Sequence, residues 1–211
     1  EAWILEMQGC GGDKKQKVVW CAVRIPDNAI SGHANQSRIG KFADLKTEVL
    51  HSKNVISFAR EKGWYTGRDK DFSFKDAYAF PNFEGRRICD ARVWSFFNHF
   101  KDMKRWIPWA EGRDPHAEDM PIWIIPNRKV SVQDVEACMR DHFEGTPFSI
   151  ADGKDIGGGI WEMPYRPTPL FFKVDGKTYF NERPTSTQQT GFTFVSQMRS
   201  WVPREIGVMV R

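Results

Sequence analysis

Apolar and β-branched residues crowd "EAWILEM" (1–7) and "VVWCAVRI" (18–25), on either side of the Gly-rich polar segment "QGCGGDKKQK". Two such runs around a turn-forming insert predict a β-hairpin, and "NAISGHAN" predicts a third strand. The period then lengthens. "SKNVISFAREKGW" sets Val55, Phe58 and Ala59 at helical spacing between a Ser52 start signal and a Gly63 stop, which predicts a short amphipathic helix. "SFKDAYAF" predicts another helical turn or two. The strongest helical pattern is "RRICDARVWSFFNHFK", where Cys89, Val93, Phe96, Phe97 and Phe100 recur on one face. "SVQDVEACMRDHF" predicts a further helix, opened by a Ser131/Asp134 variant of the capping box and burying Val132, Val135, Met139 and Phe143. After it the period returns to two. "PLFFKVDGKTYF" reads as a hairpin turning at Asp175-Gly176, and "GFTFVSQM" and "EIGVMV" read as strands joined across a "PRE" turn. Strands, then helices, then strands define an α+β chain with helices layered on antiparallel sheet, and argue against alternating βαβ units.

Composition narrows the function more than the fold. The 211 residues show no compositional break, which predicts one sizeable domain. Lys and Arg number 31 against 27 Asp and Glu, a formal charge of +4. The charged runs "DKKQK" and "GRDKD" mix signs and read as solvated loops, so nucleic-acid binding is not expected. No run approaches the roughly twenty apolar residues of a membrane helix, so no membrane association is expected either. Nine Trp and sixteen Phe fall largely within apolar runs, as core residues with some left to line a pocket. The four cysteines have no CxxC spacing and the five histidines no HxH or HxxxH spacing, so a zinc site has no local support. Phosphate loops are missing too, because "GGG" at 157–159 lacks the strand-then-helix context. Neither metal nor cofactor is expected.

Three polar groupings interrupt the core-like segments. "ISGHANQSRIG" (30–40) puts Asn35 just after a strand, where a turn residue and an oxyanion donor are both consistent with the pattern. "RRICDARVW" carries Arg87 and Arg92 near the start of a helix, where Arg can orient a carboxylate or amine, or pair at the surface with Asp90. "STQQTGFTFVSQMRSW" places Gln197 and Arg199 on one side of a strand, with Phe194, Ser196 and Met198 on the other.

In order along the chain, "EAWILEM", "VVWCAVRIPDNAISGHANQSRIG", "CDARVWSFF", "SVQDVEACMRDHFEGTPF", "MPYRP" and "TSTQQTGFTFVSQMRSWVP" resemble the dipeptidase A and secernin branch of the N-terminal-nucleophile (Ntn) hydrolases. The resemblance implies an αββα sandwich and a cysteine peptidase that cleaves short peptides through a thioester acyl-enzyme. It also implies a nucleophilic Cys at the mature N-terminus, whose own α-amino group, with a pKa near neutrality, serves as the base. Residue 1 here is Glu, and Cys10 and Cys21 lie inside the first hairpin. The expectation is therefore a single partial Ntn domain over residues 1–211, cut at the N-terminus and, since "EIGVMVR" stops in mid-strand, at the C-terminus as well. No nucleophile is expected within the chain, which alone should be inactive.

By similarity to the related penicillin V acylase and bile-salt hydrolase group, the resemblance makes Asn35 the oxyanion-hole residue. It makes Arg92 the arginine near the nucleophile, with Arg87 as the alternative. Gln197 and Arg199 are assigned to substrate binding or organisation of the site. An amine-activated thiol needs no histidine, so His33 is placed among substrate contacts rather than catalysts, and His142 is expected to bond a backbone carbonyl at a helix end, with support of the site from behind as the alternative. The expected partners are a short peptide, the missing N-terminal segment and further copies of the chain, because a cut sandwich leaves apolar sheet uncovered. The alternative reading is a non-catalytic binding domain that keeps the fold. The cytoplasm is the first choice of compartment, with secretion or the periplasm open because a leader could precede Glu1.

Overall fold

A computed structural model describes residues 1–11, 18–79, 82–152, 159–166 and 169–211. The "DKKQK" run and residues 157–158 of "GGG" lie outside this set. The strands, in chain order, are β1 (Ala2–Gly9), β2 (Val18–Ile25), β3 (Ile30–Ser31), β4 (Val49–His51), β5 (Trp123–Ile124), β6 (Phe171–Val174), β7 (Lys177–Phe180), β8 (Ser196–Met198) and β9 (Val208–Val210). The helices are α1 (Val55–Glu61), α2 (Phe74–Tyr78), α3 (Ala91–Asn98), α4 (Ile107–Glu111) and α5 (Val132–Cys138). Helices, with antiparallel pairing of every strand among the described residues, make this an α+β chain, as the periodicity predicts. The chain divides into two compact units, Glu1–Pro126 and Asn127–Arg211. No helix among the described residues is long and apolar enough to cross a membrane.

The first unit is built on the sheet β1-β2-β4, with β1 and β2 paired from Ala2↔Ile25 to Gly9↔Val18. The pleat sends Ile4, Val19, Cys21, Val23 and Ile25 inward against Val55, Phe58 and Ala59 of α1 and against Phe72, Phe74 and Tyr78. One charged residue shares that inward face: Glu6 is only 4 % exposed. The expected third strand shrinks to Ile30–Ser31, and its partner is β5. It ends early because Gly32 lies against α3, where an added Cβ would come within 3.1 Å of Phe96. The place beside β2 goes to β4, which no local pattern announced.

The strong helical pattern folds as two pieces. Gly85–Asp90 is π-helical and runs directly into α3. Bonding from i to i+5 widens the turn, so a 3.6-residue projection fails there. Cys89, expected in the core, is half-buried, while Arg86 and Asp90 turn inward with Ile88. Arg86 lies 4.0 Å over the ring of Trp109 and donates to the Asp114 carbonyl at 2.7 Å. Beyond the π turn the expected face holds for Val93, Phe97 and Phe100, which are buried, and Phe96 is half-buried.

In the second unit α5 begins as the sequence predicts. The Ser131 side chain accepts from the Asp134 N–H at 3.1 Å, and the Asp134 carboxylate accepts from the Ser131 N–H at 2.7 Å. The helix stops at Cys138, and Phe143 reaches its buried position from a loop residue with φ 68°. Val132, Val135 and Met139 are only half-buried, so the helix face is shallower than expected. β6 and β7 form the expected hairpin, with Asp175 (φ 50°) and Gly176 (φ 75°) making the left-handed pair of a type I′ turn. β8 and β9 also pair, but the regular strand begins only at Ser196.

Asp134 also holds Arg128 through two hydrogen bonds, at 2.8 and 2.9 Å. Arg128, followed by the Ser131 bonds, holds its carboxyl well below the ordinary value of 3.8. A depressed carboxylate stabilises the fold above its unfolded pKa and loses that contribution as pH falls through the folded one. Asp134→Ala is therefore expected to lower the melting temperature at pH 7, with the difference from wild type closing as the pH drops below the ordinary aspartate range. Thermal melts across an acid series check this.

Candidate functional site

A buried carboxylate at the centre of the first unit ties β1 to the loop after β3. Glu6 Oε1 accepts from the backbone N–H of Arg38 at 2.5 Å and of Ile39 at 3.0 Å, and Oε2 faces the Ile39 N–H at 3.1 Å. His33 Nε2 meets Glu6 Oε1 at 2.5 Å. A single side chain thus fixes both ends of the segment 33–39. Burial without these donors would be costly, so the donors account for an acid on an otherwise apolar face.

Arg38 closes the segment from the other side. Its guanidinium donates to the Gly32 carbonyl at 2.9 Å and the Pro121 carbonyl at 2.7 Å, and its Nε stands 3.5 Å from Asp90 Oδ1. The other Asp90 oxygen accepts from Trp109 Nε1 at 2.8 Å. Burial pushes the Asp90 carboxyl above the ordinary carboxylate range, and Arg38 and then Trp109 oppose the rise. The π-helical turn delivers Asp90 to this place, since on a regular helix it would belong to another face. The pairing of Asp90 with a surface arginine is thereby replaced by a buried contact to Arg38.

Held at both ends, the loop presents Asn35 in the left-handed region, at φ 60°, a conformation that Asn tolerates better than most side chains. Arg92, on the first turn of α3, donates from Nε to the Ile88 carbonyl at 2.9 Å and from NH2 to Asn35 Oδ1 at 2.9 Å. A guanidinium has only donors, so the Asn35 atom facing it must be the carbonyl oxygen. Asn35 is exposed, and with its Oδ1 taken by Arg92 its amide N–H₂ points elsewhere and donates to no acceptor seen among the described residues. Gln36 packs against the π turn, where a Cβ on Gly85 would come within 1.9 Å of its Oε1.

The structure therefore brings Asn35 and Arg92 together across 57 positions of sequence, while His33, on the same loop as Asn35, bonds Glu6. Arg87 is half-buried on the π turn, and the bond to Asn35 comes from Arg92. Gln197 and Arg199 lie in the second unit, on the more covered face of β8. Gln197 lines a cleft of about 490 Å³ with Ser131, Val132, Val135 and Arg211. The Arg199 guanidinium donates to the Ile206 carbonyl and its backbone N–H to Gly207 at 2.7 Å, so it braces its own hairpin. His142 bonds the Glu144 carboxylate at 2.9 Å through Nδ1, in place of the expected backbone carbonyl. The sequence reading gave Glu6 and Arg38 no part in the site and offered Asp90 only as a surface partner for an arginine. Glu6 alone had a legible signal, as an acid in phase with Ile4 on the inward side of a strand.

Of the four cysteines, Cys10, Cys21 and Cys138 are buried and Cys89 is half-buried. Burial, with Glu6 adding to it, pushes the Cys21 thiol far up, and burial followed by Asp141 and Asp134 pushes Cys138 up to about 11. Neither supplies thiolate at neutral pH, which is what a nucleophile needs. Among the described residues no group of three or more His, Cys, Asp or Glu is arranged to hold a metal ion.

The site thus defined is a neutral amide donor, fixed by a guanidinium and a buried carboxylate, on an α+β scaffold. The chain belongs to peptidase family C69, whose sequence profile matches residues 1–210. It is similar to a "Probable dipeptidase" of Salmonella dublin, 27% identical over 175 residues that cover 81% of this chain and 36% of the relative. A "Dipeptidase" of Bifidobacterium longum is 26% identical over 159 residues, 70% of this chain and 28% of the relative. A "Probable dipeptidase" of Latilactobacillus sakei is 23% identical over 186 residues, 87% of this chain and 33% of the relative. The chain spans about a third of the length of these relatives.

Proposed function

We propose that this chain is part of a cysteine peptidase that hydrolyses short peptides, dipeptides first among them, by acyl transfer to a thiol and then to water. The nucleophilic cysteine and the amine that activates it belong to the remainder of the longer protein. Asn35 Nδ2 donates to the oxyanion of the tetrahedral intermediate, and Arg92 sets the amide's orientation. The observation that carries the reading is the hydrogen bond from Arg92 NH2 to Asn35 Oδ1, which leaves the amide N–H₂ as an uncommitted donor. Preorganised neutral donors of this kind stabilise developing negative charge without reorganising during the reaction. His33 is engaged with Glu6, which favours a supporting part over a role as base.

The outward face of the first sheet also supports a larger whole. Leu5, Met7 and Leu50 are 56%, 61% and 46% exposed, with Leu5 and Leu50 in one cross-strand row through Ala22. Apolar sheet of this kind is covered in a stable protein, and the remainder of the chain or a second copy is the proposed cover. Dipeptide turnover tests the reading. The full-length protein is expected to release free amino acids and residues 1–211 alone to release none; turnover by the shorter chain would refute the placement of the nucleophile.

A further inference from the structure

The second unit contains a buried cation that forms no ion pair among the described residues. Arg166 is 8% exposed. Its NH2 donates to Gln189 Oε1 at 2.6 Å, and its backbone carbonyl accepts from Gln188 Nε2 at 3.3 Å. Its Nε is buried and bonds nothing among the described residues. No carboxylate there forms an ion pair with it, and the charge that acts on it most is another cation, Arg183. Burial, and then repulsion from Arg183, lower its pKa from the ordinary arginine value. A guanidinium kept from water without a counter-charge is unfavourable unless an anion completes the site.

The surroundings show a built site. Gln188 and Gln189 are held in a turn in which the Thr190 hydroxyl accepts from the Thr187 N–H at 3.0 Å and the Thr187 hydroxyl from the Gln189 N–H at 3.2 Å. The next segment joins through the Ser186 N–H, which donates to the Asp141 carbonyl at 3.0 Å. Beside Asp141, the His142 ring packs edge-on at 5.4 Å against Tyr165, the neighbour of Arg166. His142 offers a second unsatisfied atom: Nδ1 is bonded to Glu144, and Nε2 is buried without a partner among the described residues. Contacts thus link three separate stretches, "RDHFEG", "PYR" and "TSTQQT", with one unsatisfied polar atom on Arg166 and another on His142, and the oxyanion reading uses neither.

We propose that Arg166 is the anchor of a carboxylate-binding site, with Arg183 adding positive potential and His142 Nε2 a further polar contact. The ligand is the free C-terminal carboxylate of a short peptide, an identity that rests on the peptidase reading. A planar carboxylate matches the donor fork of a guanidinium, and binding would replace the missing counter-charge.

Calorimetric binding to the full-length protein tests this, using N-acetylphenylalanine and its C-terminal amide as probes for wild type, Arg166→Gln and Arg166→Lys. Wild type is expected to bind the acid at least about tenfold more tightly than the amide. In Arg166→Gln that preference should vanish, and Arg166→Lys should keep part of it. A wild type indifferent to the carboxylate, with Arg166→Gln melting several degrees lower, would assign the site to an Asp or Glu of the remaining chain. Indifference with an unchanged or raised melting temperature would overturn the proposal, as would a preference that survives Arg166→Gln. The peptidase reading is judged separately, by dipeptide turnover in wild type.

Discussion

Asn35→Ala in the full-length protein is expected to lower kcat for dipeptide hydrolysis by about 10²–10³, with KM changed far less. Loss of one oxyanion donor removes an interaction made mainly in the transition state, and such losses fall in that range. Asn35→Asp is expected to be at least as damaging. It keeps the shape but replaces the N–H₂ with an acceptor and sets a negative charge where negative charge develops. Arg92→Ala should cost less than Asn35→Ala, because the amide survives and loses only the bond at 2.9 Å that orients it. Steady-state kinetics on the three variants check the order. An Asn35→Ala enzyme within about tenfold of wild type would remove Asn35 from the mechanism.

Glu6→Ala is expected to be the most destabilising substitution in the first unit, by about 3–5 kcal/mol, the range for removing one member of a buried, hydrogen-bonded charged set. The buried N–H groups of Arg38 and Ile39 would lose their acceptor, and the His33 ring its partner. Glu6→Gln is the gentler probe. It keeps one carbonyl oxygen for the backbone donors while weakening the rest, so it should fold and loosen segment 33–39. On the proposed reading Glu6 acts through the loop that presents Asn35, so Glu6→Gln should lower kcat in wild type but add little in an Asn35→Ala background. Denaturant unfolding measures the first effect, and a double-mutant cycle on kcat the second. Additive losses in kcat would show that Glu6 does not work through Asn35.

The regular parts of the fold were legible because their causes are local. The hairpin at Asp175-Gly176 needs two left-handed residues, and the sequence names them. The start of α5 needs a reciprocal Ser131–Asp134 pair, which sits at the expected spacing. The first hairpin follows from two apolar runs around a turn. Misread elements depend on partners far along the chain. β4 is a three-residue strand that exists because β2 offers an edge, and β3 is cut short where Gly32 meets α3. The π turn at Gly85–Asp90 altered the helix register, which hid Asp90 and Arg86 from any argument based on a 3.6-residue period.

The candidate site divides the same way. Asn35 and Arg92 were identified through the resemblance, and nothing local in either segment predicts that they bond each other. Glu6 could have been found by asking why an acid follows Ile4 in phase on the buried side of β1. Arg38 and Asp90 had no such signal, because each looks like an ordinary polar residue until Gly32, Pro121 and Trp109 are placed around them.

The central claim is that acyl transfer runs through a cysteine outside residues 1–211, with Asn35 stabilising the charge it creates. Its most direct test is to quench the full-length protein during dipeptide turnover and map the acyl adduct by peptide mass spectrometry. The account predicts an adduct on one cysteine upstream of Glu1, diminished in Asn35→Ala. An adduct on Cys10, Cys21, Cys89 or Cys138, or turnover with no cysteine adduct and no sensitivity to thiol alkylation, would contradict it.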